Sequence, residues 1–255
     1  MNPEEFHNIA RAERTFWWHR GMRKALFALL DPIAGQREIR RVLEAGCGTG
    51  YMSALLGERY GWRMTALDLG WEGLEYAKDH GLKRLVQGDL ARLPFPAGAF
   101  DAALSLDVLV HFPRGQEDRP FSELVRVLRP GGLFVVRTSA LSVLRSRHSE
   151  YVRERQRFTR GRLAQLAHRH GLRILRLTYA NSFLLPAALL KFRVWEPLTR
   201  QPAASGLTPQ PAWLDRLLYA PLALESRLLA AGLNFPLGQS LILIGEKSGS
   251  SNARE

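Results

Sequence analysis

The sequence predicts an α/β protein built on a doubly wound, mainly parallel sheet. Three observations carry that expectation. Short apolar runs alternate with amphipathic stretches of ten or so residues from position 40 to 180, as strands joined by crossover helices do. A glycine-rich turn, "EAGCGTG" at 44–50, follows the first apolar run, where backbone approaches a ligand beside the N–H groups that open the next helix. Acidic residues then follow the second and third runs, as Asp68 and Asp89, at the strand ends where open α/β sheets bind ligands.

The elements follow in order. Residues 4–30 read as a helical lead-in, with aromatics and aliphatics at helical spacing in "FWWHRGMRKALFALL", closed by Asp31 and Pro32. "RRVLEA" is a short buried strand, "YMSALLGERY" a helix, "WRMTALD" a strand, and "WEGLEYAKDHG" a helix stopped at Gly81. "LKRLVQGD" and "FDAALSLDVL" are the third and fourth strands. "QEDRPFSELVRVLRPGG" is a helix ended by Pro-Gly-Gly, and "LFVVRTS" is the fifth strand. Beyond residue 139 come a helix, "RFTRGRLAQLAHRHG", and a strand, "LRILRLTYA". A proline-rich segment, 180–239, holds apolar helical stretches near 183–195 and 213–232; in the second, Trp213, Leu217, Ala220, Leu224, Leu228 and Ala231 recur at helical spacing. "SLILIGE" at 240–246 is a strand rejoining the sheet, before a polar tail at 247–255. The chain thus divides into an N-terminal helical cap (1–35), a core (36–179), a helical insertion or lid (180–239), a last strand (240–246) and a flexible tail.

Composition bounds the partners. The 255 residues carry 46% apolar side chains, enough for a substantial core. A net charge of +12 favours acidic ligands, anionic membrane surfaces or nucleic acid. One cysteine, Cys47, excludes an internal disulfide. The N-terminus has no signal-peptide core and no apolar run reaches the ~18 residues of a membrane span. The expected location is the cytoplasm, with contact at the inner membrane face left open. No His/Cys/Asp cluster has metal-ligand spacing, so no metal is expected.

The glycines are spaced Gly46-x-Gly48-x-Gly50, unlike the G-x-G-x-x-G that admits a pyrophosphate. Glu44 precedes them, where a carboxylate repels pyrophosphate but holds an ammonium group. Asp68 is placed to accept both hydroxyls of a ribose, and Asp89 to accept from an adenine amino group. An adenosine-containing cation bearing an amino acid satisfies all three acids, and S-adenosylmethionine is that molecule.

At these residues the chain resembles the class I S-adenosylmethionine-dependent methyltransferases. "VLEAGCGTG" looks like their first motif, "TALDLG" their second, "GDLARLPFPAGAFDAALSLDVLVHF" the third and fourth, and "ELVRVLRPGGLFVV" their fifth-strand signature. The resemblance covers roughly 40–138. It implies a seven-stranded sheet with an antiparallel last strand supplied by "SLILIGE". It implies a cofactor set of Glu44, Gly46, Cys47, Gly48, Gly50, Asp68, Leu69, Asp89, Leu90 and Leu106, with S-adenosylhomocysteine as product. "DLG" stands where many members have Asp-x-Ser, which leaves the ribose-side contact at Gly70 open. The flanks "FWWHRGMR", "RQRFTRGRL", "LTYANSFLLP" and "FPLGQSL" resemble a narrower bacterial subgroup, some of it associated with polysaccharide or secondary-metabolite assembly.

Trp17, Trp18, His19 and Arg20 are candidates to cap the cofactor, with Arg20 or Arg23 facing its carboxylate; docking the helix on the sheet is the plainer role. His111, just past the fourth strand, is the candidate general base, and Asp107 a candidate shaper of the transfer site. A backbone-bonded helix-start histidine is the alternative for His111. Tyr151, Arg153, Arg157 and Tyr179 are candidates for an anionic acceptor. Cys47 lacks the partner that covalent cytosine methylation uses. The insertion has three readings: core around the pocket, an amphipathic surface for a lipid-linked acceptor, or a dimer interface, so monomer and homodimer both stand. The expected activity is SN2 methyl transfer to a small-molecule, glycan or secondary-metabolite intermediate, or a carrier- or lipid-linked one, with oxygen favoured. RNA or DNA methylation is the alternative. It is weakened because "SLDVLVHF" lacks the Asn/Asp-Pro-Pro-aromatic pattern and the basic residues form no appended domain. A non-catalytic cofactor-binding protein is the third reading.

Overall fold

The computed structural model describes residues 3–199, 202–207 and 210–249. A seven-stranded sheet in the order β3-β2-β1-β4-β5-β7-β6 runs through it. β1 (Arg41–Ala45), β2 (Arg63–Asp68), β3 (Leu85–Gln87), β4 (Phe100–Leu106) and β5 (Leu128–Ser139) pair in parallel, whereas β7 (Ser240–Lys247) runs antiparallel to both β5 and β6 (Leu172–Ala180). The expected fold class is therefore the observed one.

Alternation along the strands divides the core in two, because successive side chains point to opposite faces. Val42, Leu104, Leu133, Val135, Ile242 and Ile244 point to one face. There they meet α2 (Trp17–Ala34), α3 (Tyr51–Tyr60) and α10 (Ala212–Ala230) through Leu26, Leu56 and Leu229. Leu43, Ala103, Phe134, Val136 and Leu243 point to the other face, packing on α5 (Asp118–Val127) and α7 (Arg160–Arg169) through Phe121, Leu124 and Leu163. α4 (Trp71–Asp79) covers the β2 edge through Leu74.

The N-terminal lead-in is two helices. α1 (Pro3–Ala12) ends before residues 13–16, and α2 runs past Pro32 to Ala34. α2 is a layer of the core. α1 instead spans the carboxyl ends of the strands. Its Phe6 fills the space at Gly70 and Gly73, where a Cβ would lie 2.9 and 2.7 Å from the ring. His7 meets the Tyr76 hydroxyl at 3.0 Å, and Glu4 accepts from Tyr151 at 3.2 Å, on α6 (Arg147–Tyr151). The insertion also splits. α8 (Leu185–Leu190), a π-helical turn at Lys191–Trp195 and α9 (Glu196–Thr199) form one continuous outer stretch. α10 packs closely on α2, because a Cβ on Gly21 would stand 2.3 Å from Leu222 Cδ1.

The start of β5 differs from expectation. β5 begins at Leu128, so Pro130, Gly131 and Gly132 lie inside the strand, at a register shift opposite Phe100 and Ala102. Such residues are tolerated there because the bulge relieves the ladder. Of the tail, 250–255 lie outside the described residues.

Candidate functional site

The turn after β1 is shaped by three glycines with left-handed backbone, Gly46, Gly48 and Gly50 at φ of 80°, 56° and 73°, a region that costs other residues about 1 kcal/mol or more. The Gly46 and Cys47 N–H groups donate to the Leu67 carbonyl, and Gly50 N–H closes the turn on the Cys47 carbonyl at 2.9 Å. The three differ in surroundings. A Cβ on Gly46 would strike Val108 at 2.2 Å and one on Gly50 would strike Ala77 at 2.4 Å, whereas nothing lies within 4 Å of one on Gly48. Packing explains the outer two glycines. Gly48 alone leaves backbone open to a ligand.

Asp68, at the end of β2, locks this turn. One carboxylate oxygen accepts from Gly48 N–H at 2.8 Å and the other from Gly70 N–H at 2.9 Å. Burial raises its pKa even so, with the two N–H donors opposing. Glu44 is buried at the end of β1, accepts a bond from the Ser53 hydroxyl, and is pushed up to about 7 by desolvation. The pair places two carboxylates in one wall, which suits a cation. Cys47 is buried between them, and burial together with these carboxylates raises its thiol pKa. It is a packing residue without thiolate character.

In the loop after the neighbouring strand β3, Asp89 is exposed and caps its own turn by accepting from Ala91 N–H at 2.8 Å. Leu90 is buried beside it. Leu69 is 70% exposed after Asp68, where its side chain offers an apolar face. The first turn of the chain comes down on the same edge: Glu13 accepts from Thr49 Oγ1 in the glycine turn and lies 3.1 Å from His80 Nε2.

β4 ends at Leu106. Asp107 follows in a left-handed backbone, φ 60°, which is strained for a residue with a side chain. Arg137, at the end of β5, holds it through Nε at 2.8 Å and Nη2 at 2.6 Å, both on Oδ2. Trp18 covers that guanidinium at 5.4 Å. His19 shares this environment. Its Nε2 is buried with no partner among the described residues, and desolvation takes its pKa down to about 3, so the ring is neutral. Arg137 is the residue that the sequence reading missed. A cation inside the apolar run "LFVVRTS" was its available signal. His111 lies in the short 3-10 turn 109–111, its Nδ1 3.4 Å from the Arg153 carbonyl, with its pKa lowered by burial.

Several candidates have other duties. Arg20 pairs with Asp215 at 2.9 Å and covers the Tyr219 ring, so it ties α2 to α10 and does not face the glycine turn. Trp17 gives its backbone N–H to the same carboxylate at 2.9 Å. Arg23 donates to the Glu13 carbonyl at 2.6 Å. Arg157 is consumed by Glu154, Ser149 and the Ala140 carbonyl. Tyr179 is buried in the core, with its hydroxyl accepting from Arg160 N–H at 3.2 Å. These contacts withdraw Arg157 and Tyr179 from acceptor binding. Tyr151 stays at the rim, under α1.

Comparison with known proteins identifies the family and the fold. A family model described as a methyltransferase domain matches residues 26–136. The chain is 33% identical over 168 residues to a ubiquinone biosynthesis O-methyltransferase of Xanthomonas oryzae pv. oryzae, covering 60% of this chain and 69% of that one. It is 36% identical over 104 residues to a sterol 24-C-methyltransferase, ERG6B, of Gibberella zeae, covering 38% of this chain and 27% of the relative. It spans less than half the length of several other curated methyltransferases that it matches. A solved structure of a putative methyltransferase from Bacillus halodurans superposes with a TM-score of 0.60 at 16% identity, covering 88% of this chain and 99% of that one. Sheet order, glycine turn and sequence relatives agree, and the chain belongs to the class I S-adenosylmethionine-dependent methyltransferases.

Proposed function

We propose that the protein binds S-adenosylmethionine at the β1–β2 edge and methylates an oxygen of a small-molecule, carrier-linked or lipid-linked intermediate. The open backbone at Gly48, walled by Glu44 and Asp68, is the observation that carries the reading. The residues fit the cofactor: Glu44 would accept its ammonium group, and Asp68 has lone pairs left for ribose hydroxyls after its two N–H bonds. Leu69, Leu90 and Leu106 would supply apolar walls for the cofactor, and Asp89 would accept from an amino group of its base. When bound, the cofactor supplies a methyl group on a sulfonium that leaves as a neutral sulfide.

The remaining work belongs to the chain. α1 excludes water over the carboxyl edge, and the Asp107–Arg137 pair fixes the end of β4, so the acceptor is held in line. His111 is neutral near pH 7 because burial lowers its pKa. With its proton on Nδ1 facing the Arg153 carbonyl, Nε2 takes the proton from an acceptor hydroxyl. Similarity to a sterol C-methyltransferase favours carbon as the second reading of the accepting atom.

The Glu44 carboxyl supplies the test. Burial raises its pKa to about 7, and only the ionised form accepts an ammonium group. Affinity for S-adenosylmethionine is expected to be flat above pH 8 and to weaken about tenfold per unit below 7. The linked effect on the free protein has the opposite direction. The folded state keeps this proton up to about 7 while the unfolded chain releases it near 4.5, so the stability it contributes is full below 4.5 and is lost as pH rises through 7. Calorimetric titration from pH 5.5 to 8.5 reads the first effect. Glu44→Gln should bind weakly and without this pH dependence; a wild-type affinity that does not change with pH contradicts the role.

A further inference from the structure

Ten of the thirteen large apolar side chains that stand exposed among the described residues fall within 183–237. On α10, Trp213, Leu217 and Leu224 recur four and seven residues apart and form one stripe, while Leu222, Glu225, Ser226 and Leu229 occupy the buried side. Leu190, Val194, Trp195 and Leu198 stand out from the α8–α9 stretch, with Trp195 63% and Leu198 75% exposed.

Charge sorts in the same way. The segment has three acids, Glu196, Asp215 and Glu225, and each is turned inward. Glu196 accepts from Arg147 N–H at 3.0 Å, and Asp215 is held by Arg20. Glu225 is buried and accepts from the N–H groups of Asn181, Ser182 and Phe183. Lys191, Arg193, Arg216 and Arg227 are left exposed among the apolar side chains. Outward-facing indoles, aliphatics and cations on both stretches, with every acid of the segment withdrawn, are unfavourable in water and mark an interaction surface. This composition matches the boundary between headgroups and acyl chains, where tryptophan concentrates, apolar stripes partition and each nearby Lys or Arg gains attraction to anionic lipid. A second copy of the chain fits less well, because its like-charged cations would meet with no acid between them.

We propose that the outer face of residues 190–198 and the Trp213–Leu217–Leu224 stripe of α10 dock on an anionic lipid bilayer, with the protein lying on the surface. No helix among the described residues is long and apolar enough to cross a membrane. This inference is independent of methyl transfer, and its test uses neither cofactor nor acceptor. The full chain is sedimented with sucrose-loaded vesicles of phosphatidylcholine alone or mixed with phosphatidylglycerol, at two salt concentrations. Binding should require the anionic lipid and fall with salt. Trp213→Glu with Leu217→Glu, and separately Trp195→Glu with Leu198→Glu, should each lower the partition coefficient at least tenfold. Their thermal melts should match the wild type, since all four side chains are exposed. Arg193→Ala with Arg216→Ala should reduce the preference for phosphatidylglycerol. Absence of binding to anionic vesicles, or double variants that bind as the wild type does, overturns the proposal. So does a protein that ignores vesicles and runs as a dimer that Trp213→Glu with Leu217→Glu makes monomeric.

Discussion

Asp68→Ala is expected to weaken S-adenosylmethionine binding at least a hundredfold while leaving a folded protein. The side chain holds two backbone N–H groups, of Gly48 and Gly70, at 2.8 and 2.9 Å. Bonds to a charged acceptor contribute about 1.5–3 kcal/mol each, and losing them frees the glycine turn as well as the ribose contact. A hundredfold change corresponds to about 2.7 kcal/mol, within that range. Asp68→Asn should fall between, because one amide oxygen can still accept from one N–H. Calorimetry on the three proteins decides. Equal dissociation constants would remove Asp68 from the site.

The second large effect separates two glycines that look equivalent in the sequence. Gly50→Ala meets both a left-handed φ of 73° and a Cβ position 2.4 Å from Ala77 Cβ. Backbone strain of about 1–2 kcal/mol and overpacking of about 1–3 kcal/mol together imply a melting temperature lower by roughly 5–15 °C for a chain of this size. Gly48→Ala carries the strain, at φ 56°, without the clash. It should melt within a few degrees of the wild type and lose cofactor affinity instead. Thermal melts followed by circular dichroism, with a cofactor titration on the same samples, read both effects. Equal melting temperatures for the two variants would contradict the division of roles between these glycines.

Much of the fold was legible because its signals are local. Strand β1, the glycine turn and Asp68 lie within 28 residues, and hydrophobic runs with helix stops mark most elements on either side. What the pattern hid is instructive. The spacing of Trp213, Leu217 and Leu224 looks like a core stripe, yet these residues face outward. The buried side of α10 instead carries Glu225 and Ser226, whose polar groups are satisfied by backbone at 181–183 and 222. Apolar periodicity has no means of scoring a buried carboxylate paid by main-chain N–H groups. Arg20, Arg157 and Tyr179 have the right chemistry for ligands, but partners distant in the chain or hidden by folding had already claimed them. Arg137 and Asp107 form a pair only because β4 and β5 are neighbours in the sheet. The break at 13–16 carries neither Gly nor Pro, so nothing local announced that α1 and α2 part there.

The central claim is that the glycine turn with Glu44 and Asp68 selects a cationic adenosine ligand over one carrying a pyrophosphate. Titrating the purified protein with S-adenosylmethionine and with NAD at pH 8 tests it most directly. Saturable one-to-one binding of S-adenosylmethionine, with NAD at least a hundredfold weaker, is the predicted result. Comparable binding of both, or binding of NAD alone, would contradict it.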